Sequence, residues 1–247
     1  MYSFPSLNAL KNISCYLNNH RILLIFLYNN QKILVWERNN LARNSLTESK
    51  LTQILEWGYE KALNGLPGTE TAQELAESYL RKHSSVDKAI DSLIRWQNAK
   101  GATSGFLTGV GGLITLPVAI PANIASVMYV QIRMIAAIAY MRGYDLEDDQ
   151  VKTLVFVCLT GQAATDILKQ AGVKIGTAMA KEAVKKIPGE VIKAINKAVG
   201  MRLVTKFGEK GFINLGKAVP IVGGIIGGAV DGIGTHTIGK TAKRVFA

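Results

Sequence analysis

The octapeptide from Gly234 to Thr241, GTHTIGKT, has the most explicit chemical pattern in the chain. It matches the phosphate-binding loop G-x-x-x-x-G-K-T, whose backbone amides hold phosphates while the lysine and threonine reach the outer phosphates and Mg²⁺. Such a loop must follow a buried β-strand, and the preceding residues 223–232 are too rich in glycine for one. No alternating strand and helix pattern occurs elsewhere. The sequence therefore indicates a chance match and predicts no cofactor.

No spacing typical of a nucleophile, a base and an acid occurs. Three histidines and two cysteines lie in unrelated segments, which leaves little material for a zinc site and excludes a disulfide scaffold. The acids Asp145, Glu147, Asp148 and Asp149 cluster where a helix is expected to begin, and negative charge is favoured there. We expect Asp145 to cap that helix, with Asp148 as its capping-box partner. The sequence thus predicts no catalytic and no metal-binding residue.

The positive charge is concentrated in the last third of the chain. Residues 169–247 contain 14 basic and 4 acidic side chains, a balance of +10, whereas residues 1–168 contain 15 and 14, a balance of +1. Four-residue spacing of the lysines predicts amphipathic basic helices, which bind anionic membrane surfaces. The side chains predicted to contact such a surface are Lys181, Lys185, Lys186, Lys193, Lys197, Arg202, Lys206 and Lys210.

Two alternatives to lipid binding by these basic helices remain. Helices that pack inward and leave lysine in water would produce the same pattern. Nucleic acid also carries phosphates, but the basic third has few aromatic residues and no zinc-finger spacing, so nucleic acid is not favoured as a partner.

The central part of the chain is strongly apolar. Between Lys100 and Arg133 there are 32 residues without a formal charge, and Pro117 and Pro121 interrupt them. Two short helices that meet at the prolines fit this segment better than one straight span. A buried core and a hairpin that dips into a bilayer are both open. The segments 101–132, 153–165 and 218–230 are the predicted centre of the fold.

Glycines recur at intervals of four residues in two of these regions. This spacing places them on one side of a helix, where another backbone can approach closely. Because each glycine costs a helix roughly 1 kcal/mol relative to alanine, close helix packing must offset the loss. The predicted packing glycines are Gly101, Gly105, Gly109, Gly224, Gly228 and Gly232.

Arg133 lies within an apolar predicted helix, and a buried arginine needs an anion. Asp166 and Asp231 are acids in otherwise apolar surroundings, so we predict that Arg133 pairs with one of them. The pair could be structural. It could also belong, with Gln131, to a polar pocket for a headgroup or a small ligand, and the chain would then be an enzyme or a ligand-binding protein.

Residues 1–44 differ from the rest of the chain. The apolar run from Ile22 to Tyr28 is far too short for a membrane span. The segment is either a short β-hairpin around Asn29 and Asn30, or a disordered leader, or the product of a mis-assigned start. Residues 45–247 are predicted to form the helical domain.

Short motifs follow one another in a fixed order through about residues 50–247. They are Gly65-Leu66-Pro67-Gly68, Ala76-Glu77-Ser78-Tyr79, Gly105-Phe106, Gly111-Gly112, Pro117, Ile120-Pro121-Ala122, residues 131–139 (QIRMIAAIA), Gly143-Tyr144-Asp145, Asn196-Lys197, residues 219–224 (VPIVGG) and Asp231. In this order they resemble the EcsC protein family. The resemblance implies a predominantly helical bacterial protein linked to membrane transport through an ABC transporter, and it supplies no catalytic residues.

The sequence therefore predicts an all-α fold, a single glycine-rich helical domain preceded by the short leader. The function that we expect is that of a non-enzymatic protein at the cytoplasmic face of the cell membrane, accessory to a transporter. Anionic lipid, a membrane protein such as an ABC transporter and a second copy of the chain are the expected partners.

Overall fold

The computed structural model describes residues 13–18, 21–28, 31–33, 47–101, 122–173, 181–207 and 226–247. The chain divides into two compact units, Met1–Ser45 and Leu46–Ala247.

The first unit contains a three-stranded sheet with the order β1-β2-β3. The strands are β1 (Ile13–Asn18), β2 (Arg21–Tyr28) and β3 (Gln31–Ile33), and both pairings are antiparallel. Tyr28 lies opposite Gln31, so residues 29 and 30 connect β2 to β3.

The second unit is all-α in its described residues, as predicted. Between 47 and 247 these residues form one 3₁₀ turn, Gly161–Ala163, and nine helices. The helices are α1 (Glu48–Asn64), α2 (Ala72–Leu80), α3 (Val86–Gly101), α4 (Ala122–Met141), α5 (Asp149–Cys158), α6 (Ala164–Gln170), α7 (Lys181–Lys185), α8 (Gly189–Phe207) and α9 (Ile226–Val245).

Helix α4 is the centre of this unit. It packs against α1, α2, α3, α5 and α9, and every residue from Met128 to Ala139 is buried. A helix that is apolar on all sides is stable only when neighbours cover all of it. The described end of the predicted apolar segment 101–132 therefore lies in a protein core. Among the helices that the structure describes, none combines the length and the apolar character that a membrane span needs.

Two glycines allow helices of this unit to approach one another closely. A Cβ at Gly58 of α1 would stand 2.8 Å from Cδ1 of Ile132 on α4, and a Cβ at Gly239 of α9 would stand 2.7 Å from Cγ1 of Ile94 on α3. Side chains at these positions would collide with fully buried isoleucines. The glycines of the two predicted four-residue series lie outside the described residues or in helical positions whose side-chain environment is not described.

Candidate functional site

The octapeptide that matches a phosphate-binding loop lies inside helix α9. Its lysine, Lys240, extends to Asp91 on α3 with 3.4 Å between Nζ and Oδ1, and Thr241 is buried. The backbone amides of a helix interior donate to the preceding turn and are not available to cradle phosphates. The residues of this motif therefore pack α9 against α3.

The acidic cluster at 145–149 contributes to the start of α5, although not as predicted. The N-cap is Asp148, without a side-chain capping bond, and Asp145 instead accepts the amide of Glu147 at 3.0 Å. The predicted capping box of Asp145 with Asp148 is wrong, because α5 begins three residues later than expected. In the described part of the chain, no group of His, Cys, Asp and Glu side chains could hold a metal ion.

Tyr59 and Cys158 are the most deeply buried ionisable groups that the structure describes with shifted pKa values. Burial strongly raises the pKa of Tyr59, the carboxylates near it raise it further, and its hydroxyl donates to the carbonyl of Leu146 at 2.7 Å. Burial likewise raises the pKa of the Cys158 thiol. Both groups stay protonated at neutral pH, so Cys158 is not an activated nucleophile.

The basic helices expose most of the side chains predicted to contact an anionic surface. Six of the eight are exposed, and they form what we call the basic surface: Lys181, Lys185, Lys186, Lys193, Lys197 and Arg202. Lys206 is half-buried, and its Nζ lies 3.4 Å from the carbonyl oxygen of Leu159, one residue beyond the end of α5. Cations are favoured at that end of a helix. Lys210 lies outside the described residues.

The basic surface contains little compensating charge. Lys193 pairs with Glu190 at 3.0 Å, and its other five cations have no ion-pair partner among the residues that the structure describes. By contrast, Lys152 pairs with Glu56 and Lys243 pairs with Asp87 and Asp91 elsewhere in the unit. Since the only acids on α7 and α8 are Glu182 and Glu190, the side of these helices that faces water carries an excess of positive charge.

An exposed apolar side chain lies among these cations. Met201 is 59% exposed and follows Lys193 and Lys197 at four-residue intervals, so the three side chains line one side of α8. The opposite side of the helix carries Ile195 and Leu203, which are buried in the core. This is the arrangement of an amphipathic helix whose outward side is basic with an apolar residue inserted in it.

Arg133 is buried at the junction of α4 with the segment before α2. It is 6% exposed, its Nη1 donates to the carbonyl oxygen of Glu70 at 3.0 Å, and its guanidinium lies 5.5 Å from the ring centre of Tyr129. The Tyr129 hydroxyl shares a hydrogen bond of 2.9 Å with Thr69 Oγ1, which also bonds the main chain of Leu66. Helix α4 thus holds the connection between α1 and α2 in place.

Of the two acids predicted as partners of Arg133, the structure excludes Asp166. Asp166 is exposed in the first turn of α6, a position that favours a carboxylate, and no ion pair joins the two side chains. Asp231 belongs to α9, and its side chain lies outside the described residues. Gln131 donates to Thr235 of α9 at 3.2 Å. Side chains at positions i and i+2 of a helix project about 200° apart, so Arg133, two residues after Gln131, faces away from α9.

The surroundings of Arg133 include residues that the sequence analysis missed. The main-chain carbonyl of Glu70 accepts a hydrogen bond from the guanidinium, and Thr69 bonds the hydroxyl of Tyr129. Tyr79 of α2 is also within electrostatic reach of Arg133. Burial and the Glu70 carboxylate raise the pKa of Tyr79, and the positive charge of Arg133 offsets part of that rise. The acceptor from Glu70 is a main-chain carbonyl, a group that every residue carries, so residue types alone could not reveal it.

A family model for the EcsC protein family matches residues 30–247 of the chain. The chain therefore belongs to the EcsC protein family, and the predicted resemblance is confirmed. Arg133, in the motif at residues 131–139, donates to Glu70, and Tyr129 bonds Thr69; both partners directly follow the motif at residues 65–68. Comparison with curated proteins and with solved structures gives no significant match.

Proposed function

We propose that this EcsC-family protein is a non-enzymatic, peripheral protein of the cytoplasmic face of the cell membrane and that its basic surface contacts anionic lipid. The observation that carries the proposal is the exposure of six cations, five on α7 and α8 and one, Lys186, directly after α7. Only Lys193 among them has an ion-pair partner in the described part of the chain. Such cations attract headgroup phosphates, and each contributes about 1 kcal/mol near an anionic membrane.

Met201 supports a membrane rather than a nucleic acid as the occupant of this surface. Interfacial helices combine cations that meet headgroups with apolar side chains that enter the acyl boundary. Met201 provides the apolar contact in line with Lys193 and Lys197. A nucleic-acid groove offers phosphates to the lysines but little for an exposed methionine.

Flotation with lipid vesicles tests the proposal. The protein is mixed with vesicles of phosphatidylcholine, with and without phosphatidylglycerol, at two salt concentrations. Replacement of Lys185 and Lys197 by glutamine removes one unpaired cation from each helix of the basic surface. We expect a loss of about 2 kcal/mol, or about 30-fold in affinity for anionic vesicles.

The matched control removes the same charge elsewhere. Lys82 and Lys88 are exposed, and neither makes an ion pair in the described part of the chain. Their double replacement by glutamine is expected to leave vesicle binding almost unchanged. An equal loss in both double variants would show that only net charge matters. Binding that ignores phosphatidylglycerol, or a stronger preference for duplex DNA, would also refute the proposed surface.

The membrane partner that we propose is a transporter of the ABC class, to which the family resemblance points. Co-isolation of this protein with such a transporter from detergent-solubilised membranes tests the association. Loss of co-isolation in the Lys185 and Lys197 variant would place the contact at the basic surface. Self-association stays a prediction, which light scattering coupled to gel filtration checks.

A further inference from the structure

Arg133 presents a buried positive charge that forms no ion pair with any carboxylate in the described part of the chain. Among the described residues, its polar and cation-π contacts are a carbonyl oxygen of Glu70 and the face of the Tyr129 ring. Each of these stabilises a cation, but neither carries a full negative charge. A buried charge that lacks a partner is costly, so the fold alone accounts poorly for an arginine at this place.

One edge of the guanidinium has a hydrogen-bond donor that the described residues leave unused. Nε is buried and has no hydrogen-bond partner among the described residues, and Nη1 is the nitrogen that Glu70 engages. The N–H groups along the edge of a guanidinium are parallel, and they match two oxygens of a carboxylate or a phosphate. An oxyanion on the Nε edge would supply both the missing acceptor and the missing charge.

Arg142 provides an internal comparison, because its Nε is also buried without a partner in the described structure. Its Nη2 nevertheless lies 2.8 Å from Oδ1 of Asp87, so its charge is neutralised within the fold. The absence of a counter-ion among the described side chains, more than the unsatisfied Nε, therefore distinguishes Arg133.

Two further groups lie within electrostatic reach of this site. The charges of Arg133 and Glu70 both act on the pKa of the Tyr79 hydroxyl, which burial raises. The hydroxyl is therefore protonated and able to donate a hydrogen bond. The Glu70 carboxylate is exposed and makes no ion pair with described residues. Its negative charge should weaken anion binding at Arg133, which gives the site a second experimental handle.

We propose that Arg133 binds an oxyanion, a carboxylate or a phosphate, along its Nε edge where α4 meets the segment before α2. This site goes beyond the proposed lipid contact and uses none of the residues of the basic surface. A free anion and the headgroup of a single lipid both provide the required chemistry.

Thermal unfolding of the full chain in phosphate, acetate or chloride at constant ionic strength tests the site. A ligand that binds the native state raises Tm in proportion to the logarithm of its concentration once it saturates. We expect phosphate or acetate to raise the Tm of the unmodified chain. Arg133→Lys keeps the charge but loses the planar edge, and it should bind about tenfold more weakly or worse. Arg142→Gln is the matched control. Phosphate or acetate should raise the Tm of this variant above its Tm in chloride by as much as in the unmodified chain.

The remaining arms identify the source of the anion and separate this site from the basic surface. Glu70→Gln should tighten phosphate binding, and an unchanged affinity would place the anion away from Arg133. The Lys185 and Lys197 double variant should respond to phosphate normally even where vesicle binding is lost. If soluble dihexanoyl phosphatidylglycerol raised Tm at lower concentrations than phosphate, the ligand would be a lipid headgroup. If phosphate raised Tm at the lower concentrations, the ligand would be a free anion. No saturable response in the unmodified chain, or equal responses in the chain with Arg133→Lys, would overturn the proposal.

Discussion

Replacement of Gly239 by alanine should reveal how closely α9 and α3 pack. A Cβ at this position would lie 2.7 Å from Cγ1 and 2.9 Å from Cγ2 of Ile94. Both atoms are bonded directly to Cβ of a β-branched side chain that is 1% exposed. Because such a side chain is stiff at χ1, the two atoms move aside only with a shift of the backbone. Overpacking of this kind costs about 1–3 kcal/mol. Alanine also favours a helix over glycine by about 1 kcal/mol, which leaves a net destabilisation of about 0–2 kcal/mol.

Gly234 provides a control on the same helix. A Cβ there meets no atom within 4 Å, so the same substitution gains helix propensity without a collision. We expect Gly234→Ala to stabilise the chain by up to about 1 kcal/mol. The difference between the two variants, about 1–3 kcal/mol, isolates the packing cost because the chemical change is identical.

Thermal and urea unfolding followed by circular dichroism measure both variants. For a unit of this size each kcal/mol corresponds to roughly 2–4 °C in Tm. A double-mutant cycle with Ile94→Ala sharpens the assay, since removal of the isoleucine makes room for the new methyl group. We expect a favourable coupling of about 0.5–3 kcal/mol. A chain with Gly239→Ala that is as stable as one with Gly234→Ala would refute the close contact of the two helices.

Two further predictions concern single polar contacts of the core and its rim. Tyr59→Phe removes the hydroxyl that bonds the buried carbonyl of Leu146, and it should cost about 1–3 kcal/mol in urea unfolding. The cost should exceed that of Tyr140→Phe, whose hydroxyl bonds the half-buried carboxylate of Glu77. Asp91→Asn tests the contact with Lys243, which lowers the pKa of Asp91. Since that pKa is lower in the folded than in the unfolded chain, the contribution of Asp91 is present above the unfolded value and is lost as the pH falls through the folded one. The stability difference between the unmodified chain and Asp91→Asn should therefore shrink at acidic pH, and a difference that grew there would contradict the assignment.

The sequence indicated which helices are buried and which are exposed, because composition and period carry that information. The uncharged run before Arg133 predicted the buried part of α4, and the lysine spacing predicted the exposed side of α8. Both follow from local patterns of apolar and charged residues. Lys206 differs because its environment depends on the end of α5, which lies far away in the sequence.

Specific partners were harder to predict, since they depend on how helices cross. The sequence predicts one pocket for Gln131 and Arg133, yet they project to opposite sides of α4. Gln131 meets α9, whereas Arg133 meets the segment before α2. Gly58 and Gly239 belong to no four-residue series, and only the crossings of α1 with α4 and α9 with α3 show that space is needed there. Contacts of this kind need the tertiary arrangement.

The two proposed anion sites differ in how salt should affect them. Exposed charges of the basic surface are screened over about 10 Å at 0.1 M ionic strength, so vesicle binding should fall steeply as salt is added. Arg133 is 6% exposed, and ions screen a buried charge far less. An oxyanion at Arg133 should therefore keep most of its affinity at salt concentrations that release the protein from vesicles. If both interactions disappeared together as salt increased, the anion would be bound at the exposed cations, and the buried arginine would be a purely structural link between α4 and the segment before α2.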